Sequence, residues 1–205
     1  MIAAAMELRR LGLAKKPALV CKKANVDATT QDALHAYPGA RIISTADMFD
    51  AKKRKETAAR IATGDYDMVI LTHDHLDMLP SLPQTQAKYL KAELEELESA
   101  REAAFQAAGG KRSDKVVKKL DNQITNLTVK IQNALAEEKK DDAVYFEDLG
   151  IDHLFVDEAH RYKTLPVYTK MGGLKGVPTG RSQRATGMKM KCGYIMDHNK
   201  GRGVS

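Results

Sequence analysis

Four short apolar runs, separated by stretches with helical spacing, constrain this chain more than any other feature. They are Pro17-Ala18-Leu19-Val20-Cys21, Arg41-Ile42-Ile43-Ser44, Asp67-Met68-Val69-Ile70-Leu71-Thr72 and His153-Leu154-Phe155-Val156. Ile2 to Leu11 reads as a helix before the first run. Asp27 to His35 reads as a second helix, stopped by Tyr37-Pro38-Gly39. Asp47 to Ala62 is a third, with Met48, Ala51, Ala58 and Ile61 facing inward. Runs that are apolar throughout suit strands covered on both faces, and strands separated by helices make a mostly parallel sheet. The predicted fold class is α/β.

The alternation stops in the middle of the chain. From Gln84 to Lys140 there are two charged helical patterns with Gly109-Gly110 between them. In the second, Val117, Leu120, Ile124, Leu127, Ile131 and Ala134 alternate spacings of three and four, a coiled-coil seam. In the first, Leu90, Leu94 and Leu97 begin the same spacing, which weakens at Arg101. The glycine pair predicts an antiparallel helical hairpin, each arm about 40 Å long at 1.5 Å per residue. The expected organisation is a sheet domain in two parts, residues 1–83 and 141–205, interrupted by a helical insertion at 84–140.

Composition places the chain among ordinary globular proteins. The hydrophobic content is 43% over 205 residues, enough for one domain with a modest core. Cys21 and Cys192 have no companion spacing, which predicts two unpaired thiols in a reducing compartment. No apolar run approaches membrane-spanning length, so the expectation is a soluble, cytoplasmic protein with no membrane partner.

The last apolar run releases two adjacent carboxylates in Asp157-Glu158-Ala159-His160. A buried strand ending in paired acids is the Walker B arrangement of nucleoside triphosphatases. Its first carboxylate can hold Mg²⁺ through the water shell, and its second can orient the attacking water. The stretch from Tyr145 to Gly203 resembles the DEAH-box segment of superfamily 2 helicases. More narrowly, it resembles the Swi/Snf-like helicase domains of large phage- and plasmid-borne DNA methylase/helicase proteins. The matching residues run from Ile151 through Asp157-Glu158-Ala159-His160-Arg161-Tyr162-Lys163, then Gly176-Val177-Pro178-Thr179-Gly180-Arg181-Ser182, to Gly201-Arg202-Gly203-Val204. Ile2 to Val20 and Tyr37 to Thr72 are also similar to that family.

The resemblance implies a partial RecA-like domain that uses ATP and Mg²⁺ in full-length relatives and acts on DNA. It implies that Asp157 holds Mg²⁺, Glu158 is the catalytic carboxylate and His160 couples nucleotide state to nucleic-acid contacts. The family contacts DNA through a segment resembling Leu19 to Asn25, after a Val-Pro pair; here it reads Val20-Cys21-Lys22-Lys23-Ala24-Asn25. No G-x-x-x-x-G-K-[ST] phosphate loop occurs in these residues. Gly109-Gly110-Lys111-Arg112-Ser113 follows no strand and reads as a helix-to-helix turn. The expectation is a motor fragment, without a second RecA-like domain, that retains neither ATP nor Mg²⁺ and does not turn over alone. It would belong with the rest of a larger methylase-helicase polypeptide or be a remnant of a mobile element. In the family the strand before the phosphate loop lies centrally, so the resemblance also implies an open sheet edge, with marginal stability or self-association.

The net charge of +6 is concentrated late in the chain. Between Lys170 and Lys191 lie Lys170, Lys175, Arg181, Arg184, Lys189 and Lys191, with no acidic residue. Such a stretch can neutralise phosphates without reading sequence, and Lys175, Arg181, Arg184 and Lys189 are the candidate DNA contacts. The same pattern also suits a solvated loop, or a non-catalytic DNA-binding remnant. A rival chemistry begins at His73-Asp74-His75-Leu76-Asp77. This H-x-H-x-D layout, as in metallo-β-lactamase-type zinc hydrolases, would point His73, His75 and Asp77 at one metal from an extended turn. Met78 stands where the next histidine would be.

Overall fold

The computed structural model describes residues 1–45, 51–111, 114–136, 143–165 and 182–205. In chain order the elements are α1 (Ile2–Arg10), β1 (Pro17–Cys21), α2 (Val26–Ala36), β2 (Ile42–Ser44), α3 (Ala51–Thr63), β3 (Met68–Thr72), α4 (His73–Met78), α5 (Pro83–Ala107), α6 (Lys115–Ala136), β4 (His153–Val156) and α7 (Gln183–His198). Short 3-10 turns occupy Lys23–Asn25, Phe146–Leu149 and Ala159–Tyr162. The chain divides into two compact units. The first is Met1–Ser81, Lys140–Lys163 and Gly187–Ser205; the second is Leu82–Lys139 and Thr164–Thr186.

The first unit is built on a parallel sheet in the order β2-β3-β1-β4. β1 and β3 lie in the middle, and all five residues of each are buried. That is why their sequences are apolar throughout rather than alternating. The pleat sends neighbouring residues to opposite faces. Ala18, Val20, Val69, Leu71 and Leu154 pack on one side with Ala58 and Ile61 of α3, Phe146 and Leu149 of the 3-10 turn, and Ile195 of α7. Leu19, Cys21, Met68, Ile70 and Phe155 pack on the other with Ala5 of α1 and with Val26 and Ala33 of α2. Of the positions expected inward on α3, Ala58 and Ile61 are buried. Met48 and the Ala51 side chain lie outside the described residues.

Two polar devices join these layers. Lys16 Nζ donates to the carbonyls of Ile61 (2.6 Å) and Leu149 (3.2 Å), so its charge closes the C-terminus of α3. The Asp152 carboxylate accepts from the backbone N–H groups of Lys15 and Lys16, tying the entrance of β1 to that of β4. The outer edge of β4 carries a partner. Leu154 N–H donates to Gly203 C=O at 2.8 Å, and Ser205 N–H donates to Leu154 C=O at 2.9 Å. Val204 bridges Leu154 in the parallel sense.

In the second unit α5 and α6 form the antiparallel hairpin. Val117, Leu120, Leu127, Ile131 and Ala134 of the expected seam are buried, as are Leu90 and Leu97, while Ile124 and Leu94 are half-buried. The spacing weakens at Arg101 because that residue meets α6 through charge. Its Nε donates to Asp121 Oδ1 at 3.0 Å, and its guanidinium lies 5.2 Å from the Phe105 ring centre. Gly109 and Gly110 have φ of +61° and +77°, and their N–H groups bond back to the carbonyls of Gln106 and Phe105. These glycines end a helix and cradle no phosphate.

Candidate functional site

The C-terminal ends of β1, β3 and β4 release Lys22, His73 and Asp157 at one rim of the sheet. Asp157 extends the ladder one residue beyond β4, its N–H donating to Val20 C=O at 2.9 Å. The chain then turns sharply, with Glu158 at φ 52° and ψ 43° in the left-handed region. For a residue with a Cβ that conformation costs on the order of 1 kcal/mol, and such strain is concentrated at functional sites. The turn aims Glu158 back across the rim. Its Oε1 accepts from Lys22 Nζ at 2.8 Å, and its Oε2 lies 2.9 Å from His160 Nδ1. Asp157, Glu158 and His160 therefore share one turn, and the fold adds Lys22 to them.

Hydrogen bonding by Lys22, then its positive charge, holds the Glu158 carboxyl below the ordinary carboxylate range against an opposing effect of burial, and His160 and His73 add smaller effects in the same direction as Lys22. The carboxylate is anionic and lies between the Lys22 ammonium and the His160 ring. Its neighbour Asp157 is half-buried at the rim.

Two further contacts fasten this turn to α4. The buried His73 ring places Nδ1 3.1 Å from Tyr162 Oη, and Arg161 donates to Asp74 Oδ1. Burial, followed by the nearby charge of Arg161, pushes the His73 imidazole below its ordinary value; Asp77, Asp157 and Asp74 oppose this. The folded state therefore binds the His73 proton less readily than the unfolded chain. That contribution to stability is complete above about pH 6.5 and is lost as pH falls through the lower folded value. Thermal melts are expected to show the midpoint dropping below about pH 6.5. His73→Gln should flatten that slope by up to about 1.4 kcal/mol per pH unit. An unchanged slope in the variant would show that His73 is not the group responsible.

His73, His75 and Asp77 do not lie in an extended turn but in α4, whose start is fixed by Thr72 Oγ1 accepting from His75 N–H at 3.1 Å. Alternate residues of a helix point about 200° apart, so the two imidazoles diverge. His73 meets Tyr162, while His75 lines a cavity of about 240 Å³ with Thr45, Ala58, Met78 and Leu79. Among the described residues no group of three or more His, Cys, Asp or Glu side chains is placed to hold a metal ion.

Of the candidate DNA contacts, Arg184 and Lys189 are exposed on α7, whereas Lys175 and Arg181 lie outside the described residues. Lys191, part of the same basic stretch, is buried at 3% exposure. Asp77 and Glu147 supply the negative field around it, so it is not a phosphate contact. Both cysteines are free thiols. Among the described residues no helix is long and apolar enough to cross a membrane.

Lys22 as the partner of Glu158 was the residue least visible in the chain. Its only signal is a lysine placed directly after a strand that neighbours the one ending in paired acids. A family model described as "Probable helicase domain" matches residues 1–203. No curated protein and no solved structure matches the chain.

Proposed function

The chain belongs to the probable helicase domain family, and from that premise we propose that it is part of the first RecA-like motor domain of a superfamily 2 DEAH-box DNA helicase or translocase. The type is the Swi/Snf-like one of large phage- and plasmid-borne methylase/helicase proteins. The observation that carries the reading is the position of Asp157-Glu158 where a parallel strand finishes, on a turn held by Lys22 and His160. In open parallel sheets ligands sit outside the carboxyl ends of the strands.

The residues present fit Mg²⁺: Asp157 offers a hard, acceptor-only oxygen pair at the rim, the donor type this ion takes. Bound there with ATP, the ion would neutralise charge developing on the phosphates. Asp157 would hold it, Glu158 would orient the attacking water and accept its proton, and His160 would couple nucleotide state to nucleic-acid contacts. Arg184 and Lys189, with Lys175 and Arg181, meet DNA phosphates. The α5–α6 seam is a coiled coil.

Positioning supplies most of phosphoryl-transfer catalysis, and these 205 residues contain no G-x-x-x-x-G-K-[ST]. We therefore expect no saturable ATP hydrolysis from this polypeptide alone. Saturable turnover that disappears in Glu158→Gln would overturn that expectation. The metal role is tested with Mn²⁺ in place of Mg²⁺: amide resonances next to Asp157 should broaden, and Asp157→Asn should abolish the effect. Unbroadened resonances would count against the motor reading.

Duplex DNA binding, followed by fluorescence anisotropy, should weaken steeply with salt. Reversing both Arg184 and Lys189 to glutamate should lower the slope of log affinity against log salt by about 2, one for each phosphate that these side chains neutralise. Binding that ignores salt, or the double variant, would remove α7 from the DNA interface.

A further inference from the structure

We infer that Lys22 is a positioning residue that holds Glu158 in a restrained ion pair and gives it up when a phosphate oxygen takes its ammonium group. This rests on the proposed role of Glu158 as the carboxylate that orients water, and it adds a regulation of that site.

The geometry begins with adjacent strands. β1 and β4 pair in register from Pro17–His153 to Val20–Val156, so the residues leaving them emerge side by side. Lys22 leaves β1 in an extended conformation, φ −65° and ψ 145°, before the 3-10 turn at Lys23–Asn25. Glu158 leaves β4 through a left-handed residue that turns its carboxylate towards Lys22. The two meet at 2.8 Å although 136 positions separate them. His160 Nδ1 takes the second oxygen at 2.9 Å. With the ammonium bonded to one oxygen and the imidazole nitrogen beside the other, the carboxylate is oriented along the rim and has less capacity left to accept from a water molecule.

The pair is built to exchange rather than to stabilise. Lys22 is 53% exposed and Glu158 35%, and exposed pairs of this kind contribute little to folding. An incoming phosphate can reach the ammonium without unfolding anything. It offers a multiply bonded anion in place of a carboxylate already shared with His160. On exchange the ammonium moves to the phosphate, Glu158 keeps only His160, and Oε1 becomes available to water. No bond is made or broken in this step beyond hydrogen bonds.

The phosphate can come from a nucleic-acid backbone or from a polyphosphate, and the test separates these. Side-chain NMR of the full chain would follow the Lys22 ammonium and the Glu158 carboxyl carbon, first in the free protein and then with a 20-base-pair duplex or with inorganic triphosphate. In the free protein, Glu158→Gln should move the Lys22 signal. On exchange, the Lys22 and Glu158 signals should move together, with the Glu158 carbon reaching its position in Lys22→Met. If the duplex does this, the source is nucleic acid; if only triphosphate does, the source is the nucleotide.

Where the duplex is the source, Lys22→Met should also lower the salt slope of duplex binding by about 1, and Lys22→Arg should restore it. A purely structural role would not give that rescue. Duplex binding that leaves both signals in place, with triphosphate equally silent, would overturn the inference while leaving the DNA reading intact. Failure of the duplex to bind at all, together with silent triphosphate, would sink both.

Discussion

Gly203→Ala is expected to destabilise the first unit by about 3 kcal/mol, read as the loss of midpoint in urea melts at unchanged slope. Gly203 has φ +110°, a conformation that a side chain resists. A Cβ there would lie 2.4 Å from Ile195 Cγ2 and 2.8 Å from the Asp152 carbonyl oxygen. Ile195 is 1% exposed within the core, and Asp152 C=O already accepts from Asn199 Nδ2, so neither can retreat cheaply. The change would also pull on the Gly203 carbonyl that accepts from Leu154 N–H on the edge of β4. Gly201 provides the control. Its φ is +82°, but nothing lies within 4 Å of its missing Cβ. Gly201→Ala should therefore cost only the backbone strain, about 1 kcal/mol. Equal losses at the two positions would show that packing behind β4 is not the cause.

Lys191→Met is the second large effect, a loss of about 3 kcal/mol. The ammonium is 3% exposed, and burial pushes it below the usual lysine range while Asp77 and Glu147 oppose that shift. Each of those two carboxylates has an oxygen sealed from solvent. Removing the lysine takes away the buried cation whose charge both carboxylates favour. Methionine fills similar space, so the cost arises from charge and not from a cavity. The double variant Lys191→Met/Asp77→Asn removes one of those two charges as well and should recover part of the loss, a non-additivity visible in a double-mutant cycle. Lys189→Met, exposed on the same helix, should stay within about 0.5 kcal/mol of the parent. A Lys191→Met protein as stable as the Lys189→Met one would show that the buried cluster carries no net charge compensation.

Much of the architecture is legible in the order of residues alone. β1 covers Pro17–Cys21, the run from which it was expected, because five consecutive apolar residues have only one good environment, the middle of a sheet. β3 follows for the same reason, β4 covers its expected run at the end of the sheet, and the seam of α6 follows from its spacing. The acids at 157 and 158 were legible because a strand must end somewhere, and its first residues beyond the ladder stand at the rim.

What could not be read involves partners from distant sequence. His73-Asp74-His75 looks the same in an extended turn or a helix; the Thr72 cap and the burial of Leu76 against the sheet make it α4, and so separate the imidazoles. Lys191 has the same letter as Lys189, and only the packing of α7 buries one and exposes the other.

The sequence by itself determined which segments become strands and helices, and that two acids stand at the end of β4, because local periodicity and chain reversal act over a few residues. The tertiary structure alone decided that Lys22 grips Glu158 and that Lys191 sits inside. Charge pairing depends on distances of a few ångströms between residues that only the completed sheet brings together.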